Sequence, residues 1–266
     1  MERKQQAAKG VNRTRPLLQW ALFAGVLGAV VVVIGGELLI DAIRTDTSGI
    51  ATIIVCFGLI ALAKNFSDAF YLDTQSRRAY GQLQDLIATG SISQFLDTAI
   101  PSVFTEHVRN LNEIAKRDLE IGQDSLISLL HVRMHARFRL TDLIANLLIT
   151  LGLIGTIVGL IGSVKGIDAV LANVGGDKKA LFDGLRDTVS GMGTAFYTTL
   201  LGSILGGVAL RGLAHLTLAH SDSLIAQIAE ISEVYLLPTL RSAARRKHGA
   251  ALAATAPPQH DAEEFL

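Results

Sequence analysis

The chain has 266 residues, half of them hydrophobic, with equal numbers of acidic and basic side chains. Its positive mean hydropathy of +0.41 argues against ordinary soluble domains, and the balanced charge lacks the basic surplus that a nucleic-acid partner requires. The single cysteine, Cys56, excludes an intrachain disulfide and a CxxC metal site, and it reads as a small packed side chain in an apolar run.

Residues 1–15 form a basic N-terminus carrying Arg3, Lys4, Lys9, Arg13 and Arg15. Two runs without charge follow, 16–36 and 47–63, joined by a connector that holds Asp41, Arg44 and Asp46, and they read as an N-terminal transmembrane hairpin over 16–63. The first run is not read as a cleaved signal peptide, because "GGELLIDAI" follows it without a small-residue cleavage site. Glu37 then sits at the outer edge of the first span, at headgroup level.

Residues 64–142 are too long and too periodic for a linker and predict a cytoplasmic helical segment. From Phe104 to Leu148 there is no proline, and Val108, Leu111, Ile114, Leu119, Leu126, Leu129 and Leu130 recur at helical period. That pattern predicts one helix continuing into a third apolar run, 143–164. A fourth run, 188–210, leads into a cytoplasmic helix over 213–248 that Pro238 is expected to disturb, and 249–266 reads as a disordered tail.

The fold class is therefore an all-α integral membrane protein: four transmembrane helices, each long enough for about 30 Å of hydrocarbon, with long cytoplasmic extensions of the third and fourth. Lys and Arg concentrate before the first span, between the second and third, and after the fourth, which places both termini in the cytoplasm. The outer connector with Lys165, Lys178, Lys179 and Arg186 departs from that pattern, offset by Asp168, Asp177, Asp183 and Asp187.

Common enzyme signatures, GxxxxGK[ST], HExxH and GxSxG, are absent, and the chain is read as neither an enzyme nor a cofactor protein. His131 and His135 share a helix face at metal-ligand spacing but lack an acidic or cysteine partner at a matching offset, so they read as a solvated or headgroup-facing pair and no metal site is assigned.

The third and fourth runs differ from the first two. Gly152, Gly155, Thr156, Gly159, Gly162 and Ser163 fall mainly three, four or seven apart, as do Ser190, Gly191, Thr194, Thr198 and Gly202, with Thr199, Ser203 and Gly206 beside them. Gly152, Gly155, Gly159, Gly202 and Gly206 read as close helix packing. Each threonine can bond the carbonyl one turn back, yet several hydroxyls on facing helices also form a polar track through hydrocarbon. Neither run contains Asp, Glu, His or Lys, so a proton on that track needs a titrating group from another chain.

"LGLIGTIVGLIGSV" and "GMGTAFYTTLLGSILGG" resemble the third and fourth spans of the MotA/TolQ/ExbB proton channel family, over a channel domain of residues 143–212. The resemblance implies a homo-oligomeric, pentameric ring in a bacterial inner membrane around a MotB/TolR/ExbD-like partner dimer of single-span chains. The partner's Asp carries the proton, and ion flow is coupled to mechanical work. It further implies pathway roles for Thr156 and Thr194, while Thr198 and Ser163 join them on geometry alone. The family's prolines near the ends of these spans have no counterpart here, and four spans resemble MotA more than the three-span members. A structural membrane scaffold, whose stripes only pack helices, and a secondary transporter remain as alternatives.

Overall fold

The structure is a computed structural model that describes residues 16–44, 48–117 and 122–255, all of it helix and connecting turns, with no strand among the described residues. Helix α1, Pro16–Arg44, opens on proline, whose missing N–H and fixed φ suit a first helical position. After Ser48 and Gly49, the latter at φ +73°, α2 runs over Ile50–Thr89 and stops at Gly90, φ +65°, whose N–H returns to Leu86 O at 3.1 Å. A short α3, Ile92–Thr98, precedes α4, Val103–Arg117, where Ser102 Oγ accepts from Thr105 N at 3.1 Å and caps the first turn.

The long helices follow. Helix α5 spans Asp124–Ala172, 49 residues, or about 74 Å at the usual rise. Helix α6, Lys178–Gly202, is capped by Asp177, which accepts from Lys179 N. It passes into a π-helical segment, Ser203–Leu210, then α7, Arg211–Ile231, a second π-helical segment, Ser232–Leu236, and α8, Leu237–Thr255.

Three differences from the sequence expectation have physical causes. The helix predicted to run unbroken from Phe104 into the third apolar run is interrupted: α4 ends at Arg117, and Gly122 and Gln123 are not helical. Glycine is a poor helix former, and the Gln123 side chain is engaged elsewhere, its Nε2 donating to Ala229 O at 3.0 Å and Glu233 Oε2 at 2.7 Å. The disturbance expected at Pro238 begins six residues earlier, and helix continues through the proline. The π-helical turns of Ser232–Leu236 precede it and widen the helix where the proline ring would otherwise meet a carbonyl one turn back. Helix also continues to Thr255, past the expected start of the tail at 249. The basic residues of 1–15 and the segment 256–266 lie outside the described residues.

Among the described residues, three helices are long and apolar enough to cross a membrane: Ile50–Thr89, Asp124–Ala172 and the composite Lys178–Arg246. They make the chain a multi-pass membrane protein. Four such helices were expected; in α1 the apolar stretch found is Pro16–Val30, shorter than a span requires.

The chain forms two compact units whose limits do not follow the apolar runs. The described part of one comprises residues 16–44, 48–74 and 133–222 and contains the four apolar runs as far as they are described; it is called the membrane unit below. Its core joins Ala51, Ile54 and Ala61 of α2 to Ala145 and Leu148 of α5 and Leu201 and Leu210 of the composite helix. The other comprises 75–117, 122–132 and 223–255. There Leu111 of α4 packs with Leu237 and Leu240 of α8. The expected cytoplasmic segment 64–142 is thus divided, because residues 64–74 and 133–142 pack with the membrane unit.

Candidate functional site

Helices α5 and α6 lie antiparallel along a seam in which side chains are almost eliminated. An ideal Cβ placed on Gly159 would lie 2.5 Å from Ala195 N and 2.6 Å from Gly191 O, and one on Gly191 would lie 2.5 Å from Ser163 N. One on Gly202 would meet Leu148 O at 2.6 Å, one on Gly206 would meet Ala145 O at 2.5 Å, and one on Gly152 would meet Thr198 O at 3.0 Å. At Gly155 the added carbon would collide with the Thr198 side chain. The seam continues beyond the expected stripe, where a Cβ on Gly166 would come 2.5 Å from Thr188 N. Backbones this close gain dense van der Waals contact, a source of helix association that survives in lipid. Gly162 is different: its nearest neighbour would be 3.8 Å away, so it lies off the seam.

The candidate hydroxyls divide into two groups. Thr194, Thr198 and Ser163 are buried at 4%, 0% and 5% exposure. Thr194 Oγ1 donates to Ser190 O at 3.1 Å, and Thr198 Oγ1 reaches Thr194 O at 2.9 Å, so both are satisfied by their own helix. Thr156 is only half-buried and faces an exposed Thr199, which the stripe analysis placed to one side. Their hydroxyls meet across the two helices. Gly152 O lies 3.1 Å from Thr156 Oγ1 and 3.4 Å from Thr199 Oγ1; Ala195 O lies 3.4 Å and 3.1 Å from the same two atoms. Two hydroxyls thus share two carbonyls, and their lone pairs can accept from a protonated carboxyl or a water without unmaking the helix.

Large apolar side chains flank this pair: Leu153, Ile157 and Leu160 on α5 and Phe196 and Leu200 on α6 are all exposed. Lipid or another protein surface is the environment they suit. Thr199 was recoverable from the sequence only by placing both helices in register, because on α6 alone it is one step off the glycine repeat.

A second polar cluster of the membrane unit lies where the apolar stretches end. Asp68 of α2 is fully buried; its Oδ2 is 2.5 Å from Lys64 Nζ and its Oδ1 3.2 Å from Arg137 Nε of α5. The Arg137 guanidinium stacks over the Tyr71 ring at 4.0 Å. Nearby in α2, Asn65 accepts from Trp20 Nε1 of α1 at 2.6 Å and approaches Thr217 Oγ1 of α7 at 3.4 Å. His135 also gains the acidic partner that sequence spacing did not supply, since its Nε2 is 2.7 Å from Asp222 Oδ1 of α7. Long-range helix contacts of this kind leave no local pattern.

No curated protein and no solved structure matches the chain. A protein-family model does: the one described as the MotA/TolQ/ExbB proton channel family, over residues 95–230. The match covers just over half of the chain, begins in α3, ends in α7 and includes the whole seam up to Gly206. With two closely packed antiparallel helices whose apolar runs carry hydroxyls but no charge, and a match of this extent, the chain belongs to the MotA/TolQ/ExbB proton channel family.

Proposed function

We propose that this chain is the ring-forming channel subunit of an ion-driven motor complex, and that the Thr156–Thr199 hydroxyl pair is its contribution to the ion pathway. The observation that carries this reading is the pair itself: two facing hydroxyls on adjacent helices, on an open face rather than within the seam. No Asp, Glu, His, Lys or Arg accompanies them in the apolar runs of these helices, so the carboxylate that takes and releases the ion comes from a single-span partner. Thr194, Thr198 and Ser163 become packing residues on this reading, since they are buried in the monomer and out of reach of a partner. Exposed apolar flanks suit contact with further copies, and a pentamer around a partner dimer is the assembly proposed.

The N-terminal helix is proposed as a fourth span. Trp20 near the start of α1 hydrogen-bonds Asn65 just beyond the apolar stretch of α2, so α1, 29 residues long, runs back alongside α2. The connector between them then lies across the membrane from Trp20, and the basic N-terminus and the end of α8 share the cytoplasmic side of a bacterial inner membrane.

Thr156→Val and Thr199→Val, each co-expressed with a single-span partner and reconstituted in liposomes, test the pathway by proton or sodium flux. Each should lower flux by about tenfold or more, as expected for losing a hydrogen bond made in the rate-limiting step, while Thr198→Val leaves it nearly unchanged. Full flux in the double variant, with assembly intact by native mass spectrometry, would overturn the assignment. The scaffold alternative draws on one observation, the complete use of the seam glycines in packing, and that same result would favour it.

A further inference from the structure

We infer that Lys64 and Arg137, held on the buried carboxylate of Asp68, form a binding site for the phosphate of an anionic phospholipid headgroup. Asp68 is 0% exposed, whereas the side chains of Lys64 and Arg137 are 32% and 42% exposed. One negative charge therefore fixes two positive ones from the inside and leaves a local excess of one positive charge facing outward. An ammonium has three N–H donors and a guanidinium five. Lys64 Nζ and Arg137 Nε each make one bond to Asp68, and neither cation bonds another acceptor among the described residues. Two donors on Lys64 and four on Arg137 are left for an oxyanion. Stacking on Tyr71 restricts the guanidinium plane, so its free edge is presented at little further entropic cost.

The position fits a lipid rather than a soluble anion. Lys64 immediately follows the charge-free stretch of α2, and Arg137 lies six residues, about 9 Å along the helix, before that of α5. This is the depth at which headgroup phosphates sit. Phe66 and Phe70, on the same part of α2, are 46% and 57% exposed, and Phe66 meets Trp20 edge-on at 5.1 Å. Exposed aromatic side chains beside paired cations suit the interface between hydrocarbon and water.

The test uses the full-length chain, purified in neutral detergent, stripped of lipid and melted after addition of phosphatidylglycerol, phosphatidylcholine or inorganic phosphate. Phosphatidylglycerol should raise Tm by on the order of 3 °C, with a smaller effect of phosphatidylcholine and none of phosphate. The neutral variant Asp68→Asn/Lys64→Met/Arg137→Met, which leaves no unpaired charge in the core, should lose that shift, whereas Arg139→Gln keeps it. Arg137→Lys, which retains the pair with Asp68 but not the planar fork, should reduce it and serves if the neutral variant does not fold. A shift of unchanged size in the neutral variant or in Arg137→Lys, or none in the native chain, would overturn the site. A full shift with inorganic phosphate alone would overturn the lipid as its occupant.

Discussion

The membrane unit holds its helices together in two opposite ways. Along the α5/α6 seam there is no charge and almost no side chain, and one backbone rests on another through Gly152, Gly155, Gly159, Gly191, Gly202 and Gly206. Where α2 meets α5, a buried carboxylate is clasped by two cations, and the neighbouring Asn65 ties in α1 and α7. The seam depends on shape and is indifferent to electrostatics; the cluster depends on charge balance and tolerates exposure. That difference also sorts the functional candidates. Hydroxyls within the seam are buried, while those of Thr156 and Thr199, at its margin, are open to the outside of the helix pair.

The sharpest way to break the comparison is to unbalance the charge cluster. Lys64→Met/Arg137→Met leaves Asp68 buried without a partner and should cost about 3 kcal/mol or more, read as a lowered unfolding midpoint in detergent. Adding Asp68→Asn should recover most of that loss, because the penalty is the unpaired charge and not the missing bonds. If the double variant melted like the native chain, Asp68 would not be buried as described.

The seam should answer to volume alone. Gly159→Ala and Gly191→Ala each force a methyl to within hard contact of backbone atoms and should destabilise by about 1–3 kcal/mol. Gly162→Ala meets nothing nearer than 3.8 Å and should be neutral or stabilising by about 0.5–1 kcal/mol, the usual gain of alanine over glycine in a helix. Equal effects at all three positions would refute the register of the seam.

The second unit adds a smaller contrast, a buried titratable group without an ion partner. Burial holds the His107 imidazole below its ordinary pKa, against a weaker opposing pull from the Gln123 side chain. The folded state therefore binds its proton less readily than the unfolded state does. Stability from this group is fully present above the unfolded pKa of about 6.5 and falls as pH drops through the depressed folded value. His107→Gln should flatten the acid side of the stability profile below the unfolded pKa of about 6.5, measured by hydrogen exchange in α4; an unchanged slope would show that other groups set it.

Several features were legible without coordinates because they are periodic or compositional. Apolar length marked α2, α5 and α6 as membrane helices, and the three-four spacing of glycines marked the seam. Less was legible where helices are interrupted or meet. The break at Gly122 and Gln123 lies in a stretch expected to be one helix, and the Gln123 contacts that accompany it have no local pattern. Thr194 and Thr199 are both hydroxyls in an apolar run, and only the register of α6 against α5 buries the first and pairs the second with Thr156.

The sequence by itself determined that this is a helical membrane protein, which two runs carry the glycine and threonine stripes, and that those runs contain no Asp, Glu, His, Lys or Arg. Transfer of side chains into hydrocarbon is nearly additive along the chain, so such statements need only composition and spacing. Tertiary structure alone decided that Asp68 is buried between cations from two helices, that His135 meets Asp222, and that Thr156 faces Thr199. Those contacts depend on the rotation and offset of one helix against another, which the backbone approach of glycine to glycine fixes and no local pattern encodes.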